Sequence, residues 1–194
     1  ASGSDLTLTT GGASNFENLG GSSSNDTLKG DNNDNIIAGG GIYDWMGNIT
    51  LHAGGTDTVY GYGGNDTIKA SGTIYGGAGD DIITGFSTND TLDGGTGKDI
   101  ISSYNGSDTI VLRAGDGSSS LSSADIITDF SDGSDVLGLA TGSGSLAFGD
   151  LTISQGTGSN ANHVIISKTS TSEILQIVQN TTTSNITGAD FMSM

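Results

Sequence analysis

Aspartate returns on a fixed beat along the first part of this chain, and carboxylates on a beat are ligands for hard cations. The sixth places of a nine-residue pattern are Asp26, Asn35, Asp44, Asp57, Asp66, Asp81, Asp90, Asp99 and Asp108, separated by 9, 9, 13, 9, 15, 9, 9 and 9 residues. Stacked in rows, such carboxylates would repel one another and pay for burial, unless a cation sits between successive units and takes oxygens from both. Calcium meets that demand, because it accepts about six to eight oxygens at flexible angles, whereas magnesium insists on a tighter octahedron. Carboxylates engaged in this way are poor general acids. Two histidines, His52 and His163, and no cysteine leave neither a zinc cluster nor a motif-bound catalytic set. No catalytic residue is assigned, and any enzymatic activity is expected upstream of Ala1.

The elements that position these carboxylates follow from the neighbouring places. Two residues after each sixth place stands one strong apolar side chain: Leu28, Ile37, Met46, Val59, Ile68, Ile83, Leu92, Ile101 and Ile110. A strand of about three residues with one side chain inward and two outward needs no more. Ahead of each acid come glycines such as Gly63, or Gly77 and Gly79, or Gly95 and Gly97, which accept left-handed backbone angles that side chains oppose. Each unit is thus a turn plus a short strand, too small to bury a core alone, and must stack on its neighbours.

Two units make a coil of about eighteen residues, so alternate turns share an edge. This predicts one edge carrying Asp26, Asp44, Asp66, Asp81 and Asp99 and another carrying Asn35, Asp57, Asp90 and Asp108, with Ala70 to Tyr75 filling the shortened turn. Flanking the buried aliphatics, Thr58, Thr73, Thr91 and Thr109 are expected on one face and Thr27, Trp45, Thr67, Ile82 and Ile100 on the other. Tyr60 and Tyr75 are expected to be neighbours.

The stretches GGAGDDIIT at 76–84 and GGTGKDIIS at 94–102 fill every fixed place of GGxGxDxUx, and GYGGNDTIK at 61–69 misses one glycine. Over about residues 20 to 111 the chain resembles the RTX (repeats-in-toxin) nonapeptide family. Ser24 and Ile42 depart from its fourth glycine, Asn35 from its acid, and Asn48 to Leu51 add four residues. The resemblance implies an all-β, right-handed parallel β-roll, with metal ligands at Asp26, Asp44, Asp57, Asp66, Asp81, Asp90, Asp99 and Asp108. Gly63, Gly77, Gly79, Gly95 and Gly97 supply turn geometry and carbonyl oxygens. The segment at 124–139, ADIITDFSDGSDVLGL, resembles the closing segment of such rolls: Asp125, Asp129, Asp132 and Asp135 would cap the last cation while its aliphatics cover the core. The alternating LTISQ, HVIIS and EILQIV read as a small antiparallel lid, and NITGADFMSM resembles the uncleaved address of type I export. Residues 1–19 read as an N-terminal cap or as the end of a preceding domain, 20–111 as the roll and 112–194 as a C-terminal β-rich capping segment.

Composition makes order conditional. Of 194 residues 32% are hydrophobic, 34 are glycine, and the net charge is −17, a balance that leaves the bare chain short of apolar burial. About six to eight Ca²⁺ would bring that charge to between roughly −5 and −1. The expected function is a calcium-binding structural module that stays extended where calcium is scarce and folds outside the cell, secreted or at the cell surface, as a monomeric domain. Two other readings stay open: a carbohydrate-binding module taking a neutral glycan, and an ice-binding solenoid built on the threonine ladder. Five cationic side chains against 22 acids exclude nucleic acid and anionic membranes as partners, and no apolar run reaches the length of a membrane span.

Overall fold

The computed structural model describes residues 18–43, 49–51 and 55–194. Asp44, Trp45, Met46, His52 and the apolar Leu6, Leu8 and Phe16 of the N-terminal segment lie outside the described residues.

Several repeats yield a three-residue strand with only its middle side chain buried, as in Thr27–Lys29, Thr67–Lys69, Ile82–Thr84 and Ile100–Ser102, and others run on into the following turn as strands of up to seven residues. The chain alternates between two parallel sheets. The first runs through Asn18–Gly20, Ile36–Ala38, Thr67–Lys69, Ile82–Thr84, Ile100–Ser102 and Asp125–Ile127. The second runs through Thr27–Lys29, Asp57–Gly63, Gly72–Ala78, Thr91–Thr96, Thr109–Leu112 and Val136–Leu139. Between them the eighth-place residues Leu28, Ile37, Val59, Ile68, Ile83, Leu92, Ile101 and Ile110 are all fully buried, and Ile74, Ile127 and Leu137 extend the same row. A fully buried aliphatic contributes about 1.5–3 kcal/mol. One per nine residues leaves much of the cost of ordering the turns to other interactions.

The strand pairing corrects the predicted edges. Thr27 pairs with Thr58, and Ile36 with Thr67, each a jump of 31 residues. Among the described residues the stretch between contributes no rung to either sheet; within it Gly41–Tyr43 pairs antiparallel with Ile49–Leu51 as a separate two-stranded sheet. Removing one rung reverses the parity of everything before it. Asp26 therefore joins the edge of Asp57, Asp90 and Asp108, and Asn35 joins that of Asp66, Asp81 and Asp99. Thr27 likewise moves to the face of Thr58, Thr73, Thr91 and Thr109, which form one continuous half-buried ladder. The stretch from Ala70 to Tyr75 is more than a shortened turn. It opens a rung of its own, Gly72–Ala78, in which Gly72 occupies the aspartate place beside Asp57 and Ile74 the buried place beside Val59.

Beyond the nonapeptides the roll continues on different sequence. Glu173–Val178 adds a parallel rung beside Asp125–Ile127, and Phe191–Ser193 adds one beside Val136–Leu139. The lid expected from alternation is present: Leu151–Gln155 pairs antiparallel with Val164–Lys168, which pairs antiparallel with Glu173–Val178. Glu173–Val178 is thus the join, parallel to the roll on one side and antiparallel to the lid on the other. Arg113 holds the exit from the repeats, with a two-bonded ion pair to Asp93 and a second pair to Asp116 at 2.9 Å. Among the described residues no helix is long and apolar enough to cross a membrane.

Candidate metal centre

The described sixth-place aspartates point into the turns, where they are almost fully buried, and from Asp57 onward each carboxylate staples two rungs. On the first edge the Asn35 N–H donates to Asp66 Oδ1 (2.7 Å), Asp66 to Asp81 (2.7 Å), Asp81 to Asp99 (2.9 Å) and Asp99 to Asp125 (3.0 Å). On the second, Asp26 donates to Asp57 (2.9 Å), Gly72 to Asp90 (2.7 Å), Asp90 to Asp108 (2.8 Å) and Asp108 to Asp135 (3.1 Å). A second ladder runs the other way through the fifth places. Asn65 N–H donates to Asp34 Oδ1, Asp80 N–H to Asn65 Oδ1, and Lys98 N–H to Asp80 Oδ1. Sequence reading passed over this ladder, although Asn or Asp stands at the fifth place in Asn25, Asp34, Asn65, Asp80 and Asn89.

One oxygen per aspartate engages the neighbouring rung, and the fate of the other divides the turns. Oδ2 of Asp57, Asp66, Asp81, Asp99 and Asp108 is buried without any hydrogen-bond partner. By contrast, Asp26 Oδ2 accepts from the Ser22 N–H, Asp90 Oδ2 from the Phe86 N–H, and Asp135 Oδ2 from the Ser131 N–H. Asn35 Oδ1 accepts from the Asp31 N–H in the same way. The donor always lies four residues earlier, at the second place of the turn. In the uncapped turns whose second place is described, that residue is left-handed: Tyr62 (φ 77°), Gly77 (118°), Gly95 (95°) and Tyr104 (65°). Ser22, Asp31, Phe86 and Ser131 are not. The fourth place does not discriminate, since Gly133 is left-handed (φ 78°) in the capped turn before Asp135. The handedness of one residue thus decides whether a turn satisfies its own carboxylate.

In turns of both kinds a backbone carbonyl approaches the sixth-place oxygen, as beside Gly85 for Asp90, and only the uncapped turns lack an N–H that donates to that oxygen. A methyl group built on Gly61 would strike both Asp66 Oδ2 and the Gly76 carbonyl, and one built on Gly76 would strike both Asp81 Oδ2 and the Gly94 carbonyl. Carboxylate and carbonyl oxygens converge there with no donor between them, an arrangement that suits a hard cation. Among the described residues no three acidic or histidine side chains gather at one point, so such an ion would draw largely on backbone oxygens. Burial pushes the carboxyls of Asp57, Asp66, Asp99 and Asp108 up to about 6 and that of Asp81 up to about 7. Negative neighbours add to the rise. Leaving a charged oxygen buried and unpaired is costly, and these five are left so in the protein alone.

The family model for the RTX calcium-binding nonapeptide repeat matches residues 11–41, 53–72, 73–85 and 84–118, together half of the chain. The chain belongs to the RTX calcium-binding repeat family. Its fold, a parallel all-β roll, is the one the resemblance implied. Two solved structures are similar: the AlgE6R2 subunit of the mannuronan C5-epimerase from Azotobacter vinelandii, 19% identical, covering 90% of this chain and 91% of that one with a TM-score of 0.39; and the AlgE6R3 subunit of the same enzyme, 22% identical, covering 89% and 80% with a TM-score of 0.28. Comparison with curated protein sequences finds no match.

Within the RTX roll the other predicted residues fall as follows. Gly77, Gly79, Gly95 and Gly97 take left-handed angles. Gly63 does not; it stands at the variable third place of GYGGNDTIK, and Tyr62 and Gly64 hold the two left-handed places, in the same register as Gly77 and Gly79. A non-glycine residue at such angles costs on the order of 1 kcal/mol. The first-place glycines Gly61 and Gly76, beside which carboxylate and carbonyl oxygens converge, carry a sequence signal of their own: glycine five residues before the sixth place, at Gly21, Gly30, Gly61, Gly76, Gly85 and Gly94. At the closing end Asp125 and Asp135 continue the two columns. Asp129 instead accepts the Ser103 and Tyr104 N–H groups, and Asp132 is exposed. Gln176 follows Asp125 in register and reaches its Oδ2 through Nε2 at 3.4 Å, ending that column with an amide. Burial pushes the Asp125 carboxyl up to about 8.

Proposed function

We propose that the chain is a folding module driven by calcium, and that the ions occupy the turns whose aspartate keeps a buried oxygen without a hydrogen-bond partner. The observation that carries this is the set of five buried aspartate oxygens without a partner. Asp57, Asp66, Asp81, Asp99 and Asp108 would supply side-chain oxygens, with carbonyls of Gly76 and Gly94 completing the sites of the first edge. The metal would contribute positive charge and a cross-link between successive rungs. Asp26, Asp90 and Asp135 hold their oxygens with backbone N–H groups already and serve chiefly as staples, while Asp44 stays a candidate from its place in the repeat. One ion per uncapped turn makes about five, fewer than the repeat count alone suggests, and would offset ten of the seventeen excess negative charges.

Such a chain has a state for each side of a membrane. Where free calcium is scarce, self-repulsion and a thin core favour the extended form; at millimolar calcium, binding to the folded form alone draws the equilibrium over. RTX repeat proteins are typically secreted, and we place this one outside the cell or at its surface, with catalysis assigned elsewhere. The domain arrangement that fits is a repeat roll at 20–111 closed by the segment 112–194. The export-like stretch NITGADFMSM overlaps the last rung of the second sheet, Phe191–Ser193. An address built into a rung is open to the type I machinery while the chain is unfolded and sequestered once it folds. Far-UV circular dichroism of the calcium-stripped chain, followed through a calcium titration, tests the reading. We expect a coil spectrum that converts cooperatively to β structure, and a spectrum unchanged by calcium removal would refute it.

A further inference from the structure

The uncapped turns need a left-handed second residue, but they do not need a tyrosine. Gly77 and Gly95 stand at that place in the next two rungs, directly in register with Tyr62. Glycine would hold the same angle without strain. Tyr62 is nonetheless present at φ 77°, and 49% of its surface is exposed, so its ring does little for the core. It lies against Tyr60 with centroids 5.9 Å apart and planes at 19°, and Tyr60 lies against Tyr75 at 5.0 Å and 10°. Tyr104 holds the same left-handed place in the turn before Asp108 and is 59% exposed, so strain alone does not single out Tyr62; its place in a row of three aromatic rings does, and such a row is a surface suited to a contact outside the chain.

We infer that the Tyr62–Tyr60–Tyr75 stack, together with the groove beside it, binds an uncharged, β-linked glycan. The groove begins at Tyr75. A cavity of about 370 Å³ is bounded by Tyr75, Gly77, Gly95, Asp93, Arg113 and Asp116, within the usual size of small-ligand clefts. Thr96 and Asp116 are shared with a second cavity of about 570 Å³ that runs on past Asp80 and Lys98 to Ser122 and Ser123. Two joined cavities form a track, which suits a chain of residues better than a single small molecule.

Charge identifies the class of chain. Lys98 and Arg113 line this track and Lys29 stands beside its aromatic end, against the carboxylates Asp80, Asp93 and Asp116 and that of Glu173, whose Oε1 accepts from the Gly115 and Gly117 N–H groups of the second cavity's wall. Lys29 Nζ stands 5.8 Å from the Tyr60 ring centre, and Arg113 is bonded to both Asp93 and Asp116. In a molecule with a net charge of −17 this strip gathers three of the five cations and comes near neutrality, and an anionic polymer gains nothing there while meeting repulsion from the rest. What the strip offers is aromatic surface at one end and hydroxyl, carboxylate and guanidinium partners along it. A β-linked pyranose has equatorial hydroxyls for the polar groups and an apolar C–H face for a tyrosine ring.

Native electrophoresis in saturating calcium tests this, using gels cast with barley mixed-linkage β-glucan, with hydroxyethyl cellulose or with alginate, and with circular dichroism of the same sample confirming that it is folded. Retardation in at least one of the two β-glucan gels and not in alginate is expected. Tyr62→Gly should lose roughly tenfold in apparent affinity while folding at the same or lower calcium concentration, because it relieves strain; Tyr75→Ala should also reduce retention. A folded protein that migrates unretarded in both β-glucan gels would overturn the inference. So would retention in alginate equal to that in β-glucan, or retention of Tyr62→Gly equal to that of the parent.

Discussion

The two edges of the roll carry the same aspartates at the same beat and resolve their buried charge differently. On the first edge three consecutive turns, ending at Asp66, Asp81 and Asp99, are rich in glycine, left-handed at the second place and leave Oδ2 bare. On the second edge, turns written with serine, threonine and phenylalanine, such as GFSTND before Asp90, aim an N–H at the same oxygen. Uncapped turns recur there only at Asp57 and Asp108. Glycine content thus works through peptide orientation, which decides whether a carboxylate is closed by the chain itself or left for a cation. A repeat that matches a metal-binding pattern at its acid need not be a metal-binding turn.

The contrast can be broken most strongly at Asp81. Its Oδ1 staples Asp66 and its Oδ2 is bare between two other uncapped turns, so Asp81→Ala should raise the calcium midpoint of folding by about tenfold or more, read by circular dichroism. A midpoint within twofold of the parent would remove Asp81 from the binding set.

A smaller effect separates the metal-free and metal-bound states by pH. Without cations, burial raises the carboxyls of Asp66, Asp81 and Asp99 to about 6, 7 and 6, above their values in the unfolded chain, near 3.9. Their contribution to the metal-free fold is fully present below about pH 4 and lost as pH rises through 6 to 7. Calcium-stripped protein should therefore gain β structure between pH 8 and pH 4.5. In calcium the direction reverses, because the ion needs the ionised carboxylates, and the calcium midpoint should rise as pH falls below about 6. Identical pH profiles with and without calcium would contradict the account.

The least effect is expected at Asp90→Asn. The Gly72 and Phe86 N–H groups donate to different oxygens of Asp90; the single amide oxygen can keep the cap, as Asn35 does with the Asp31 N–H, at the cost of one staple and no cation ligand, so the calcium midpoint should move less than about twofold. A shift as large as that of Asp81→Ala would erase the distinction between the edges.

Much of this was legible in the sequence because a period of nine fixes which side chains turn inward. The eighth-place aliphatics Leu28 to Ile110 that the structure describes are all buried, Tyr60 meets Tyr75, and the antiparallel lid lies where LTISQ and HVIIS alternate. Edge parity was not legible. It depends on whether the stretch between Ala38 and Asp57 adds a rung, and a separate pair of strands can keep the acid spacing while leaving the stack. The rung at Gly72–Ala78 hid behind a glycine in the aspartate place, since the buried Ile74 alone does not announce a repeat. The capping of Asp26, Asp90 and Asp135 escaped notice because it depends on the backbone angle of a residue four places earlier, which composition constrains only where that residue is glycine.

The most direct test is a crystal grown in millimolar calcium and measured for anomalous scattering from calcium. The account predicts peaks beside Asp57, Asp66, Asp81, Asp99 and Asp108, and none beside Asp26, Asp90 or Asp135. Peaks of equal height beside the capped aspartates, or a roll whose bare oxygens face no ion at all, would contradict it.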